Sequence, residues 1–408
     1  MTSTLPELQT QNQLAARPVS GVLDLGRDGH GFLRVEGCLP GPADVRVPAP
    51  LVRQLGLRTG DFVEGEAKEG KEGRDAKDAK GAKDAKAGKN GAVTRVWRVN
   101  GRTPESLRGR TKFAGLTPLY PSSRLRLETA GDLVPTRLVD LVAPIGKGQR
   151  GLIVAPPRTG KTVLLQQLAA AVAANHPECH LMVVLLDERP EEVTDMRRSV
   201  KGEVLASTFD RPANQHIALA ELAVERAKRL VEEGRDVVML FDSLTRLCRA
   251  YNNAAAGSGR TLSGGVDAAA IQGPKKLFGA ARSAEEGGSL TMLATVLVET
   301  GSRADDYYFE ELKSTGNMEL RLDRGMADRR VFPAIDITRS GTRKDELLVP
   351  AQELTALHGL RRALHGRDGQ GALEAVLDRL RHTPSNAAFL RQVQQTVPGA
   401  GAQEGKAS

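Results

Sequence analysis

Hydrophobic and polar residues alternate in two different ways along the chain, and the change falls near residue 130. Between residues 19 and 100, short segments such as VLDL (22–25), DVRV (44–47) and TRVWRV (94–99) are separated by Gly, Pro and Asp. Short alternating strands at this close spacing are typical of a small all-β barrel. The sequence therefore predicts an all-β domain over residues 19–100.

A charged insertion interrupts this predicted barrel at residues 66–90. A basic residue recurs at every third position from Lys68 to Lys89, with acids between them and no aliphatic side chain larger than alanine. A period of three follows no helical face, and the segment buries too little apolar surface to order itself. We expect a solvated loop, and phosphate contacts to an oligonucleotide are the alternative.

From residue 131 to 390, short apolar runs alternate with helical patterns. Four runs have the character of buried parallel strands: GLIVA (151–155), LMVVLL (181–186), VVMLF (237–241) and TMLATVLV (291–298). The alternation predicts an α/β domain built on a doubly wound parallel sheet. The remaining segments are expected to be a flexible arm at 1–18, a polar connector at 101–130 and a flexible tail at 391–408.

A phosphate-loop motif lies between the first of these strands and the next predicted helix. Its sequence is APPRTGKT (155–162), with Ala155 where the strict pattern has glycine. In such a loop the backbone N–H groups bind phosphates, the lysine reaches the β and γ oxygens, and the hydroxyl binds Mg²⁺. The strand–loop–helix context favours an ATP site with Lys161 and Thr162 over a chance occurrence in a surface loop.

Two carboxylates follow predicted strands. Asp242 follows VVMLF, and Glu188 stands in DERP after LMVVLL. Ligands of open α/β sheets bind at the carboxyl ends of the strands. Asp242 is therefore predicted to hold Mg²⁺, and Glu188 to polarise the attacking water. The alternatives are a helix N-cap for Asp242 and a surface carboxylate that opens a helix for Glu188.

Charge and composition narrow the class of protein. Fifty-eight Lys and Arg against 50 Asp and Glu give a net charge of +8, which permits a polyanionic partner. Cys38, Cys179 and Cys248 form no CxxC pair, which argues against a disulfide framework or a zinc site. The first twenty residues lack the basic start and apolar core of a secretory signal, and no apolar run approaches a membrane span. We expect a cytoplasmic protein without a membrane partner.

Several longer segments together resemble the Rho family of bacterial transcription termination factors. They are PIGKGQRGLIVAPPRTGKT, LLDERPEEVTDM, KGEVLASTFD, FDSLTRLCRAYN, LSGGVDA, FGAARSAEEGGSLT, RVFPAID and SGTRK. The resemblance covers about residues 20–385. It implies a homohexameric, ATP-dependent RNA helicase with a RecA-like P-loop motor domain and a cold-shock-like OB-fold domain. It also implies nascent single-stranded RNA and RNA polymerase as partners, ATP and Mg²⁺ as cofactors, and movement from 5′ to 3′.

The resemblance assigns roles in ATP hydrolysis to particular residues. Glu188 becomes the general base, and Arg343 of SGTRK becomes an arginine finger that a neighbouring subunit provides. From the residues alone, Arg343 would be a solvated turn residue. Phe332 would stack on adenine. The implied ATP-binding residues are Gly146, Lys147, Gly148, Gln149, Arg150, Gly151, Arg158, Thr159, Gly160, Lys161, Thr162, Val163, Arg189, Arg330 and Phe332.

The resemblance also implies two RNA sites. The primary site comprises Gly29, His30, Gly31, Phe32, Leu33 and Arg34. The secondary site comprises Arg260, Thr261, Gly264, Gly265 and Arg303, for which ordinary surface loops are the alternative. His30 replaces one aromatic residue of the family, and Cys38 and Val93 stand where the resemblance places tyrosines. Because stacking is lost, we expect little preference for cytosine over uracil.

Two other classes of protein remain as alternatives. A rotary or secretion ATPase shares PIGKGQRG-like segments and an N-terminal barrel, and RNA stimulation of hydrolysis would separate it from an RNA motor. An RNA-binding protein without turnover is the second alternative. The presence of Lys161, Asp242, Glu188 and Arg343 together argues against that second class.

Overall fold

A computed structural model describes residues 16–68, 91–129, 133–255, 265–267 and 270–397 of the protein. The chain divides into two compact units, which meet between Arg110 and Thr111. None of the helices within the described ranges is long and apolar enough to cross a membrane.

The first unit is a closed five-stranded barrel. It contains β1 (Ala16–Leu25), β2 (Gly31–Arg34), β3 (Val45–Val47), helix α1 (Ala49–Leu55), β4 (Phe62–Lys68) and β5 (Ala92–Val99). The strands follow the order β1-β2-β3-β5-β4 around the barrel. Side chains at alternate positions point inward, and Leu23, Leu33 and Val63 are fully buried. The small all-β domain expected from the alternating pattern is confirmed.

Close backbone approach explains one glycine of the barrel. A β-carbon at Gly65 would lie 2.2 Å from the carbonyl oxygen of Arg95 on the neighbouring strand. No side chain fits at that distance, so the pairing of β4 with β5 requires glycine here.

The charged insertion begins later than the sequence predicted. Glu66, Ala67 and Lys68 belong to β4 and pair with β5 and β1, because the barrel supplies backbone partners on both sides. Residues 69–90, which contain the rest of the predicted loop, lie outside the described residues.

The second unit is built on a nine-stranded sheet. A separate two-stranded sheet consists of β7 (Arg124–Leu125) and β8 (Ile145–Gly146). The strands of the large sheet are β6 (Pro118–Leu119), β9 (Arg150–Ala155), β10 (His180–Glu188), β11 (Glu203–Thr208), β12 (Val237–Asp242), β13 (Arg282–Ala284), β14 (Ser289–Leu297), β15 (Met318–Arg321) and β16 (Gly341–Thr342). The central order is β11-β10-β12-β14-β9-β15-β16, with β13 paired to β14 and β6 paired to β13.

Adjacent strands from β11 to β15 in this order run parallel. The four apolar runs of the sequence form β9, β10, β12 and β14, and all six residues of β12 are buried. The predicted α/β class and parallel sheet are therefore confirmed. The antiparallel edge strands β6, β13 and β16 were not predicted, because two or three residues are too short to show a period.

Helices connect these strands and complete the unit. They are α2 (Val134–Val142), α3 (Lys161–Asn175), α4 (Pro190–Ser199), α5 (Ala213–Glu232), α6 (Leu244–Ala255), α7 (Gln272–Phe278), α8 (Arg303–Lys313), α9 (Arg324–Asp328), α10 (Ala351–Leu364), α11 (Gly369–Arg381) and α12 (Asn386–Thr396).

Residues of the predicted polar connector and of the predicted flexible tail belong to folded units. In the predicted connector, Arg110 forms an ion pair with buried Asp61 of the first unit. Leu125 and Leu127 lie in the hydrophobic core of the second unit. In the predicted tail, Val393 is fully buried in that same core. Polar composition hid these attachments, because each depends on a few apolar or paired residues among many exposed ones.

Candidate nucleotide and RNA sites

The phosphate loop turns directly from the carboxyl end of β9 into the amino end of α3. Gly160, just before the helix, has φ 84°, a left-handed conformation that favours glycine. Within the turn, Thr159 Oγ1 donates a hydrogen bond of 2.8 Å to the carbonyl oxygen of Pro156. The first N–H groups of α3 have no partner inside the helix, so they are available to an anion at this end.

Lys161, Asp242 and Glu188 meet beside this loop. Lys161 Nζ lies 2.6 and 2.5 Å from the two carboxylate oxygens of Asp242 and 3.3 Å from Glu188 Oε1. Glu188 and Asp242 are only 3% and 2% exposed. They converge because β10 and β12 are neighbours whose carboxyl ends share one edge of the sheet. The structure thus brings three predicted catalytic residues into one cluster.

The electrostatic environment of this cluster favours the charged form of Lys161 and makes the carboxylate of Glu188 more basic. Burial raises the pKa of Glu188, while Lys161 and Arg246 act in the opposite direction without cancelling the effect. Burial tends to lower the pKa of Lys161, but the nearby carboxylates of Asp242 and Glu188 outweigh it and raise that pKa. Glu188 therefore binds a proton more readily than an exposed glutamate, as a general base for water must.

Two residues that the motif analysis missed complete the cluster. Thr295 of β14 is fully buried, and its hydroxyl donates a hydrogen bond of 2.7 Å to Asp242 Oδ1. Arg246 of α6 lies 3.4 Å from Glu188 Oε1 and 3.0 Å from Asp187 Oδ2. A threonine inside an apolar strand was the available signal for Thr295. Arg246 had none, since an arginine on an amphipathic helix is common.

The predicted ligands of Mg²⁺ have suitable donor atoms. Thr162 is the second residue of α3, next to Lys161, and its hydroxyl lies 3.5 Å from Glu192 Oε2. Asp242 offers a buried carboxylate that Lys161 and Thr295 already compensate. Hydroxyl and carboxylate oxygens suit Mg²⁺, which takes its other ligands from phosphates and water. The residues present therefore fit the metal.

A cavity of about 610 Å³ opens beside the phosphate loop. Its wall includes Gly160, Val163 and Phe332, and the last two side chains are 56% and 43% exposed. A β-carbon at Gly160 would lie 3.5 Å from the Phe332 ring, so the ring stands next to the loop. The volume and the apolar wall suit a nucleobase. Arg158 also lines the cavity, and Arg330 is exposed in the turn that leads to Phe332.

Residues 146–151, which the resemblance assigns to ATP binding, lie elsewhere. They precede and begin β9, whereas the phosphate loop follows its other end. Lys147 Nζ binds Asp236 at 2.7 Å and Glu178 at 3.0 Å. Gln149 Nε2 donates a hydrogen bond of 2.7 Å to Asn317 Oδ1. The structure does not bring Gly146, Lys147, Gly148, Gln149, Arg150 or Gly151 to the phosphate loop of their own chain, because the two ends of a strand lie at opposite edges of a sheet.

Arg343 lies at this same opposite edge. Its N–H donates a hydrogen bond of 2.9 Å to Asn317, whose own N–H donates to Arg150 at the start of β9. At about 3.3 Å per residue, β9 spans roughly 16 Å between this level and the phosphate loop. That distance exceeds the reach of an arginine side chain. Arg343 therefore cannot contact phosphates bound to its own chain.

Arg189 follows Glu188, and its side chain is 66% exposed and forms an ion pair of 2.8 Å with Glu192. The other carboxylate oxygen of Glu192 lies 3.5 Å from the Thr162 hydroxyl, so Arg189 is joined to the phosphate loop through Glu192. Arg189 is the residue before the first turn of α4, where the extended backbone conformation directs it outward.

The primary RNA residues form part of one face of the barrel. Phe32 and Arg34 point outward from β2, and the guanidinium carbon of Arg34 lies 5.5 Å from the centre of the Phe32 ring. Arg34 also forms ion pairs with Asp24 at 2.5 Å and Asp44 at 2.6 Å. Because two carboxylates compensate its charge, Arg34 attracts phosphate only weakly. Its main role on this face is to hold the neighbouring side chains in place.

The expectation for Leu33 on this face needs correction. Leu33 is fully buried in the barrel core, because residues of a strand alternate between its two sides. Cys38 and Val93 are each only 2% exposed, and Val93 packs in the barrel core. Arg46 was missed. It lies directly opposite Phe32 on β3, with Nη2 3.2 Å from His30 Nδ1.

Only part of the predicted secondary RNA site is described. Arg303 is exposed at the start of α8, in the connection that follows β14. Asp305 anchors this connection through ion pairs of 2.5 and 3.0 Å with Arg249 of α6. Gly265 has φ 77°. Arg260, Thr261 and Gly264 lie outside the described residues.

Comparison with known proteins defines the class first. Residues 136–342 match the nucleotide-binding domain of the ATP synthase alpha/beta family. The chain is similar to the solved structure of a prototypical ATPase from the type III secretion system of pathogenic bacteria, with a TM-score of 0.57 and 22% identity over 69% of this chain and 86% of that chain. At this identity the likeness shows the fold alone. The family match and the phosphate loop together define a RecA-like P-loop ATPase domain.

Relatives of higher identity define the family. Residues 19–105 match the RNA-binding domain of the Rho termination factor. Transcription termination factor Rho of Streptomyces coelicolor is 64% identical, over 98% of this chain and 91% of that protein. The same factor of Streptosporangium roseum is 58% identical, over 93% of each. The chain belongs to the Rho family of transcription termination factors, which are ATP-dependent RNA helicases.

Some relatives are longer than this chain. Rho of Mycobacterium tuberculosis strain H37Rv is 54% identical over 96% of this chain but only 64% of that protein. Rho of Streptomyces lividans is matched over 53% of its length. The family expected from the motifs is confirmed, and a secretion ATPase is set aside, because the identity to Rho extends through both units.

Proposed function

We propose that this protein binds nascent single-stranded RNA, hydrolyses ATP in response, and moves 5′ to 3′ to release the transcript from RNA polymerase in the cytoplasm. The observation that carries the proposal is the buried cluster of Lys161, Asp242 and Glu188 beside a nucleotide-sized cavity. An RNA-binding barrel in the same chain supports RNA as the activating ligand.

The residues of the cluster divide the work of phosphoryl transfer. The free N–H groups of α3 and the ammonium of Lys161 bind the phosphates, after Lys161 leaves the carboxylate of Asp242. Thr162 and Asp242 would hold Mg²⁺, which would neutralise charge on the phosphate oxygens. Glu188 accepts a proton from the attacking water. Arg246 orients Glu188 through the contact of 3.4 Å and keeps its carboxylate aimed at the cluster.

The position of Arg343 supports an active site shared between two subunits. Arg343 is exposed, and its level on the sheet puts it beyond reach of its own phosphate loop. A planar guanidinium that stabilises charge on the transferring phosphoryl group would complete the site. We propose that each subunit contributes Arg343 to the nucleotide bound by its neighbour.

Exposed hydrophobic side chains support a ring. Among the described residues of the second unit, most large exposed hydrophobics fall on two surfaces. One surface, around the nucleotide cavity, carries Leu133, Val163 and Phe332, and the other, near Arg343, carries Leu119, Tyr120 and Leu347. Phe209 lies apart from both, directly after β11. Two different surfaces suit head-to-tail contacts between copies, which close into rings when the rotation permits. This arrangement agrees with the homohexamer that the family resemblance implies.

Replacing Phe332 by alanine should weaken ATP binding. Base stacking contributes about 1–3 kcal/mol, so we expect the KM for ATP to rise about 5-fold or more. Phe332→Tyr retains the aromatic face and is the matched control. Steady-state hydrolysis across an ATP series measures both. An unchanged KM in Phe332→Ala would exclude Phe332 as the stacking residue.

Replacing Phe32 by alanine should weaken RNA binding and remove most of any cytosine preference. Phe32 is the clear aromatic side chain on the face that also carries Arg34 and Arg46. One stacking residue discriminates little between pyrimidines, so wild-type protein should bind oligo(C) and oligo(U) with similar, strongly salt-dependent affinity. Fluorescence anisotropy over a salt series tests this. A strong cytosine preference that survives Phe32→Ala would show that the primary site lies elsewhere.

Release of transcripts from stalled elongation complexes tests the proposed function itself. Wild-type protein with ATP should release labelled RNA from bacterial RNA polymerase, whereas protein with a non-hydrolysable ATP analogue should not. Release that is equally efficient without hydrolysable ATP would contradict a motor mechanism.

A further inference from the structure

The turn that carries Arg343 lies between the short strand β16 and a single-turn 3-10 helix, Asp345–Leu347. β16, which leads into it, is only two residues long. The N–H of Arg343 donates a hydrogen bond of 2.9 Å to Asn317, and Thr342 Oγ1 donates one of 2.7 Å to Pro144. These bonds hold the backbone up to Arg343. Immediately after it, Lys344 leads into the 3-10 helix, and its carbonyl oxygen accepts a hydrogen bond of 3.1 Å from the N–H of Leu347.

Lys344 adopts a conformation that needs support. Its φ of 56° is in the left-handed region, which is unfavourable for a residue with a β-carbon. Its Nζ lies 3.7 Å from the centre of the Tyr120 ring, well within the range of a cation–π interaction. This contact secures the lysine side chain and thereby the turn directly after Arg343.

Tyr120 is suited to this role and not to a role in the core. Its side chain is 62% exposed in the single chain, so packing within its own chain does not explain its position. The residue before it, Leu119, pairs with Ser283 of β13, which joins the central sheet through β14. The backbone of Tyr120 is therefore firmly attached to the sheet. Its ring can hold the long, flexible side chain of Lys344 in one place.

We propose that Tyr120 is a positioning residue for Arg343. Through Lys344 it holds the turn in the one conformation that directs the guanidinium of Arg343 toward the neighbouring subunit. Tyr120 itself touches neither the nucleotide nor the reacting atoms. The inference rests on the proposed role of Arg343 in the neighbouring site and adds a residue on which that role depends.

A matched pair of substitutions tests the interaction in the full chain. Tyr120→Leu keeps an apolar side chain but removes the aromatic face, whereas Tyr120→Phe keeps that face. At saturating ATP and RNA, we expect kcat to fall about two- to fivefold in Tyr120→Leu and to stay at the wild-type value in Tyr120→Phe. Affinity for a fluorescent ATP analogue and the mass of the assembly should be unchanged in both.

The Arg343→Ala background separates positioning from a general structural effect. Tyr120→Leu should cause no further loss of hydrolysis when Arg343 is already absent, as single-turnover measurements would show. An equal loss in both backgrounds, a smaller assembly, or wild-type kcat in Tyr120→Leu would overturn the inference while leaving Arg343 in its role. Normal hydrolysis in Arg343→Ala alone would instead overturn the shared active site, and the role of Tyr120 with it.

Discussion

Glu188→Gln should bind ATP with near-normal affinity and lose hydrolysis by about 10²- to 10⁴-fold. The amide has almost the same size as the carboxylate, so the packing around Lys161 and Arg246 is retained. It cannot accept the proton of the attacking water, which the carboxylate accepts more readily because burial raises its pKa. Binding of a fluorescent ATP analogue and release of phosphate measure the two effects separately.

Glu191→Gln is the matched control for this result. Glu191 lies three residues further along the chain, in the first turn of α4, and is exposed to solvent. Its substitution makes the same chemical change outside the cluster and should leave turnover unchanged. Near-normal turnover in Glu188→Gln would show that Glu188 serves only to lead into the helix, which was the alternative from sequence.

Arg343→Ala should still bind ATP but lose on the order of 10³-fold or more in hydrolysis. The nucleotide pocket of the variant subunit is intact, because Arg343 lies at the opposite edge of the sheet from the phosphate loop. The loss of the guanidinium slows hydrolysis in the neighbouring subunit's site, where Arg343 would have stabilised the transition state. Nucleotide affinity and phosphate release, measured on the same preparation, distinguish loss of binding from loss of catalysis.

Mixing this variant into wild-type rings tests whether the site is shared. If each nucleotide needs Arg343 from a neighbour, a small fraction of variant subunits should reduce activity by more than simple dilution. Arg362→Ala, at an arginine far along the chain in α10, provides a control for the mixing procedure. A loss strictly proportional to the variant fraction would mean that subunits hydrolyse independently, and a monomer in solution would exclude the ring.

The sequence predicted those parts of the fold whose signals are local. The runs that form β9, β10, β12 and β14 are long and apolar, and the sequence Gly160-Lys161-Thr162 between a strand and a helix marks the phosphate loop. Once parallel strands were recognised, Asp242 and Glu188 could be expected at one edge, because strand ends in such sheets converge.

The remaining features depend on contacts between distant parts of the chain. Thr295 reaches Asp242 only because β14 lies beside β12, and no local pattern reports strand order. The separation of Arg343 from the phosphate loop likewise follows from the pairing of β16 with β15. Leu33 illustrates a different limit, since a motif match assigns a whole segment to a site, whereas a strand sends alternate side chains inward.

ATP hydrolysis with and without single-stranded RNA tests the central claim most directly. The chain carries both an RNA-binding barrel and an ATPase cluster, and in the proposed function RNA activates hydrolysis. Wild-type protein should therefore hydrolyse ATP slowly alone and much faster with poly(C) or poly(U), and Glu188→Gln should show no stimulation by either. Equal rates of hydrolysis by the wild-type protein in the presence and absence of RNA would contradict an RNA-dependent motor.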